Sequence, residues 1–119
     1  MHQSVSLVLL ALLLSACSPG VTRLTPEEEK KFDPALRALL AGEAVREADY
    51  DVFPGSGSEK EYAVIVRADD FNDVRQGGYA VMSAFGEVGV VRATLAQMRR
   101  LAAMPGVRSI TNGSKNQLH

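Results

Sequence analysis

Glu61-Tyr62-Ala63-Val64-Ile65-Val66-Arg67 is the stretch whose reading decides the fold. It is short, rich in β-branched residues and apolar at nearly every position. That pattern predicts a central strand buried on both faces. The grammar changes at once in Asp69-Asp70-Phe71-Asn72-Asp73-Val74. Acids gather where the first turn of a helix leaves N–H groups without partners, and they suit the positive end of its dipole. Gly77-Gly78 ends that helix. Tyr79–Phe85 predicts a second strand, Gly86–Gly89 contains a turn, and Val90–Ala93 predicts a third strand. Thr94 and Gln97 have the spacing of a capping box. Behind them Leu95, Met98, Leu101 and Ala102 form the apolar stripe of a second helix, with Arg99 and Arg100 facing water. Pro105-Gly106 terminates it, and Val107–Thr111 predicts the last strand.

The order over residues 60–113 is therefore β-α-β-β-α-β, the split βαβ or ferredoxin-like plan. The expected fold class is α+β. A four-stranded antiparallel sheet carries two helices on one face, and short helices precede it. The other face is left open to a partner, or is covered by the N-terminal helices. Upstream, Thr25-Pro26-Glu27-Glu28 has a Thr cap, Pro at the first helical position and Glu three residues after the cap. Asp33-Pro34 restarts the pattern, Leu36, Leu39 and Leu40 recur at helical spacing, and Gly42 stops the run. Residues 25–42 thus predict one or two short amphipathic helices. Residues 43–59 are acidic, then rich in Gly and Ser, and predict a flexible linker.

The chain has 119 residues, with 46% hydrophobic and 23% charged residues, which is ordinary for one small globular domain and excludes collagen-like, coiled-coil and wholly disordered chains. Net charge is −1, so nothing draws the whole chain to nucleic acid. The charge is uneven: residues 17–61 carry ten acids and six bases, and residues 62–119 carry four acids and seven bases.

Leu7–Leu14 is an unbroken apolar run, too short for a membrane span of about 20 residues but suited to a signal-peptide core. It leads into Leu14-Ser15-Ala16-Cys17, which resembles the bacterial lipobox. The resemblance implies a signal peptide over 1–16, lipid (palmitate among it) on Cys17, and a tether over 17–24. Several acyl chains anchor firmly, at about 0.8 kcal/mol per buried methylene. Ser18 after the Cys implies the bacterial outer membrane, on its periplasmic side. The segment Met1–Ser6 carries no Lys or Arg, which departs from the usual signal. An ordinary cleaved signal beside a stray Cys is the alternative.

Two further stretches resemble the propeptides of secreted bacterial subtilases. Glu61–Arg67 looks like their opening strand. Phe85, Val88, Ala93-Thr94-Leu95, Leu101, Pro105-Gly106-Val107 and Ile110 follow in the family's order and spacing, and Phe32–Arg37 looks like its leader. The resemblance spans Glu59 to about Asn112. It implies a domain that packs its open sheet face on a subtilisin-like serine protease, helps that protease to fold and inhibits it. The tail then lies in the substrate cleft as an added strand. The residues implied are Lys115, Asn116, Gln117, Leu118 and His119 in the tail (114–119), with Tyr79, Val81, Ser83, Phe85, Val90 and Arg92 as sheet-face contacts. Asn116 and His119 replace the apolar residues such tails usually carry, which implies a different target. The tail also reads as a simple frayed end.

Chemistry of other kinds is not expected. One histidine follows Cys17, at the terminus, so no Ser-His-Asp triad is available. Asp69, Asp70 and Asp73 lack the loop pattern of a calcium site and read as helix-start acids. Gly77-Gly78 and Gly55-Ser56-Gly57 lack the Lys-Ser/Thr of a phosphate loop. The expectation is a non-enzymatic, lipid-anchored inhibitor domain without metal, cofactor, nucleic acid or small-molecule substrate. The alternatives are an envelope lipoprotein that docks proteins without inhibiting them, and a relic of a protease precursor.

Overall fold

The computed structural model describes residues 24–55, 57 and 59–113. Helices α1 (Pro26–Lys30) and α2 (Pro34–Leu40) come first. A 3-10 turn (Glu47–Asp49) and strand β1 (Val52–Pro54) follow. Then come β2 (Lys60–Ala68), α3 (Phe71–Gln76), β3 (Ala80–Phe85), β4 (Val88–Ala93), α4 (Leu95–Ala103) and β5 (Val107–Asn112). The chain is α+β, with a five-stranded antiparallel sheet and four helices among the described residues.

The caps form as their spacing requires. Thr25 with Glu28, and Thr94 with Gln97, close reciprocal capping boxes. Asp33 caps α2 and Asp70 caps α3. Strand β2 is the centre of the sheet. On one side it pairs with β4, and β4 with β3. On its other side two strands share the lane: β5 along residues 64–68 and β1 along residues 60–62.

The extra strand corrects the expected count of four, and it lies in the stretch read as a linker. Tyr50 accounts for the order there. Its ring is buried, meets Tyr62 edge-on at 6.2 Å between centroids, and its hydroxyl donates to the Ala35 carbonyl at 2.8 Å. An aromatic that seats its body in the core and its polar tip on a carbonyl fixes the chain on either side of it. Val52 and Phe53 then have no alternative but to run beside β2.

Burial raises the Tyr50 phenol above its ordinary 10.0, and the nearby Asp49 and Asp33 charges add to this. A folded-state pKa above the unfolded one gives stability that is full below pH 10 and lost as pH rises through the folded value. Thermal melts above pH 10 should therefore show a steeper alkaline loss in the parent chain than in Tyr50→Phe.

The N-terminal helices pack on the same side of the sheet as α3 and α4. Phe32, Leu36, Val64, Val66, Phe71, Val74, Val91, Met98, Leu101 and Ile110 are buried in one cluster. Leu36 alone, fully buried, contributes about 2 kcal/mol. The C-terminal ends of α2 and α4 are each tied to a neighbour. Arg99, expected in water, donates instead to the Leu40 carbonyl at 3.0 Å, at the C-terminal end of α2. Lys31 reaches the carbonyls of Ala102 and Met104 at 2.8 and 3.2 Å, in the last turn and at the C-cap of α4. Both cations meet the negative ends of helix dipoles.

Asp33 joins this layer to the sheet. One carboxylate oxygen accepts from the Leu36 N–H at 2.9 Å and the other from the Asn112 N–H at 3.0 Å. Beside it Phe32 forms a parallel bridge with Ile110. Asp33→Ala removes at once a helix cap and the carboxylate oxygen that receives the Asn112 N–H. It should cost about 2 kcal/mol, read as a melting temperature lowered by about 10 °C. Asp33→Asn, which keeps an acceptor for the cap, should lose less.

Candidate functional site

Side chains alternate across a strand, and directly paired residues share a face. The register therefore assigns the surface opposite the helices. It comprises Phe53 of β1, Glu61, Ala63, Ile65 and Arg67 of β2, Val88, Val90 and Arg92 of β4, Ala80, Ser83 and Phe85 of β3, and Ser109 and Thr111 of β5. The helices put their buried side chains into the core on the other side. The open face is mixed in character. Ile65, Val88 and Val90 form a half-buried apolar centre. Phe85 stands at its margin, 86% exposed.

Arginines flank this centre. Arg92 is held: its Nε lies 2.8 Å from a Glu61 carboxylate oxygen, off the axis of an aligned hydrogen bond, and its guanidinium covers the Phe53 ring at 4.3 Å. Ion pair and cation–π contact fix the fork in one orientation before any partner arrives. Arg67 is exposed. At the start of β5 Arg108 bridges Glu87 at 2.6 Å and Asp69 at 3.1 Å, and the Glu87 carboxylate raises its pKa further.

Of the residues expected on this face, Ser83, Phe85, Val90 and Arg92 lie there. Tyr79 and Val81 do not; both pack against the core. The reason is a bulge. Register shifts between Val81 and Ser83, so Met82 is an extra residue and the alternation reverses across it. Val81 therefore pairs with core-facing Val91, and Ser83 with outward Val90. Ile65 and Arg67 were missed because β2 read as apolar on both faces, and Val88 because it fell in the stretch read as a turn. The alternation Ala63, Ile65, Arg67 was the available signal. Cys17 and the tail residues Lys115, Asn116, Gln117, Leu118 and His119 lie outside the described residues.

The chemistry of this face is that of contact. Among the described residues no group of three His, Cys, Asp or Glu side chains is placed to hold a metal. A groove of about 520 Å³ beside the start of α4 is lined by Glu59, Glu61, Thr94, Ala96, Gln97 and Arg100. Thr94 and Gln97 are already committed to each other as the helix cap. Among the described residues no helix is long and apolar enough to cross a membrane. The chain matches no protein-family model, no curated protein and no solved structure.

Proposed function

We propose that the chain is a lipid-anchored, non-enzymatic docking domain whose open sheet face binds a subtilisin-like serine protease, inhibiting it or assisting its folding. The observation that carries this reading is the face itself: a half-buried apolar centre between fixed and free arginines, margined by a phenylalanine that is 86% exposed. An exposed aromatic beside an apolar patch is a mark of a protein-binding surface. The strand order β5-β2-β4-β3, all antiparallel, supports the ferredoxin-like plan, with β1 as an addition. The likeness of Glu61–Arg67 and Phe85–Ile110 to subtilase propeptides supplies the class of partner. Anchorage through Cys17 at the outer membrane belongs to the same proposal and rests on the lipobox-like residues.

The test is a titration of Ser18–His119 against a subtilisin-type protease, followed by hydrolysis of a chromogenic peptide. Competitive inhibition at micromolar concentration supports the reading. Truncation at Gly113 should then abolish inhibition, because cleft occupancy belongs to the tail, while binding through the sheet persists in a weaker form. An intact, folded domain that neither binds nor inhibits the protease removes the protease from the reading. Labelling of the full chain with radioactive palmitate, lost in Cys17→Ser, tests the anchor.

A further inference from the structure

We propose that β3 is a self-association edge, through which two copies of this chain pair antiparallel about a two-fold axis and continue one sheet into the other. An unpaired edge strand presents a row of free N–H and C=O groups, and proteins ordinarily blunt it with charge, proline, shortness or a covering segment. The far side of this sheet is blunted in three of these ways. β5 is covered by Lys31–Asp33, where the Ile110 N–H donates to the Lys31 carbonyl at 2.8 Å and Asp33 N–H to the Ile110 carbonyl at 3.3 Å. β1 is three residues long and ends in Pro54.

β3 closes the strand order at the other end and is treated differently. Its sequence, Ala80-Val81-Met82-Ser83-Ala84-Phe85, has no charge and no proline. It bears two of the three exposed large apolar side chains among the described residues, Met82 at 53% and Phe85 at 86%. The bulge at Met82 twists the strand but leaves Ser83–Phe85 regular.

The occupant follows from charge. The end of β3 near Phe85 lies beside Asp69, Asp70 and Glu87, three acids against Arg67 and Arg108. The end near Ala80 follows α3, whose last turn carries Arg75. Antiparallel pairing of β3 with its own copy sets the Arg75 end of each chain against the acidic end of the other, twice. A neutral strand between opposite ends is complementary to itself, which is what an isologous two-fold contact requires.

The experiment is sedimentation equilibrium of the full chain in a density-matched non-ionic detergent, from low micromolar to submillimolar concentration, with no protease present. The wild-type chain should pass from one to two chains per particle. The strand's midpoint lies between Met82 and Ser83, so Met82→Lys sets two ammonium groups against each other near the axis and should stay single throughout. Met82→Glu should do the same, and an equimolar mixture of the two should return to two chains per particle. A wild-type chain that stays single, a Met82→Lys chain that still pairs, or two variants folded by circular dichroism whose mixture stays single each overturns the proposal. The outcome is independent of the protease reading.

Discussion

Gly89→Val should lower the stability of the domain by about 3 kcal/mol, and Gly89→Ala by about 2 kcal/mol. Gly89 lies inside β4 on its core-facing side, paired with Val66 and with Ala84. A Cβ there would stand 2.7 Å from two ring carbons of Phe71 and 2.7 Å from the Ser83 carbonyl oxygen. The first contact could be relieved only by moving a buried ring that begins α3, and the second only by moving the backbone of β3 at its bulge. Replacing glycine in a strand ordinarily gains up to about 1 kcal/mol from reduced chain entropy and better strand propensity. Here the overlap outweighs that gain. Urea denaturation is the measurement. The cycle with Phe71→Ala should show coupling of about 1 kcal/mol or more, because truncating the ring removes two of the three clashing atoms. A Gly89→Ala chain as stable as the parent would mean that the Phe71 ring does not rest on this strand.

The same glycine shows what the sequence could and could not disclose. Gly86 and Gly89 read alike, as parts of one turn. Gly86 does turn, with φ +61°, but Gly89 serves β4 as a place where a ring approaches the backbone. Local propensity sees the missing side chain and not the ring that takes its space. Caps were legible for the opposite reason: Thr25, Asp33 and Thr94 bond to groups within three residues, so their meaning is local. Elements that depend on distant partners were not. β1 exists because Tyr50 seats in a core built by later strands, and Glu43–Glu59 alone reads as a linker. Arg99 finds a carbonyl 59 residues away rather than water. The candidate face was half legible. Period-two alternation placed Ser83, Phe85, Val90 and Arg92 together, but the bulge at Met82, invisible in a run of apolar residues, moved Tyr79 and Val81 to the core.

On the proposed protease reading, Phe85→Asp should weaken inhibition of a subtilisin-type protease about 100-fold, or about 2.7 kcal/mol, while moving the melting temperature by less than about 4 °C. The two expectations come from one number. At 86% exposed, Phe85 contributes little to its own domain, so its removal leaves the fold almost untouched. The same exposure leaves a large aromatic body free to be buried by a partner, and aromatic anchors dominate binding energies. An aspartate there also brings a carboxylate, which must be desolvated in the apolar centre formed by Ile65, Val88 and Val90. Its register partner is Val88, with no cation directly opposite to offset that cost. Val45→Asp is the control. Val45 is 37% exposed but lies in the segment between α2 and the 3-10 turn, away from the face, and the change should leave inhibition unaltered. Equal inhibition by Phe85→Asp and the parent would place the contact with the protease elsewhere than on this sheet. Equal loss in Phe85→Asp and Val45→Asp would point to charge in general rather than to the face.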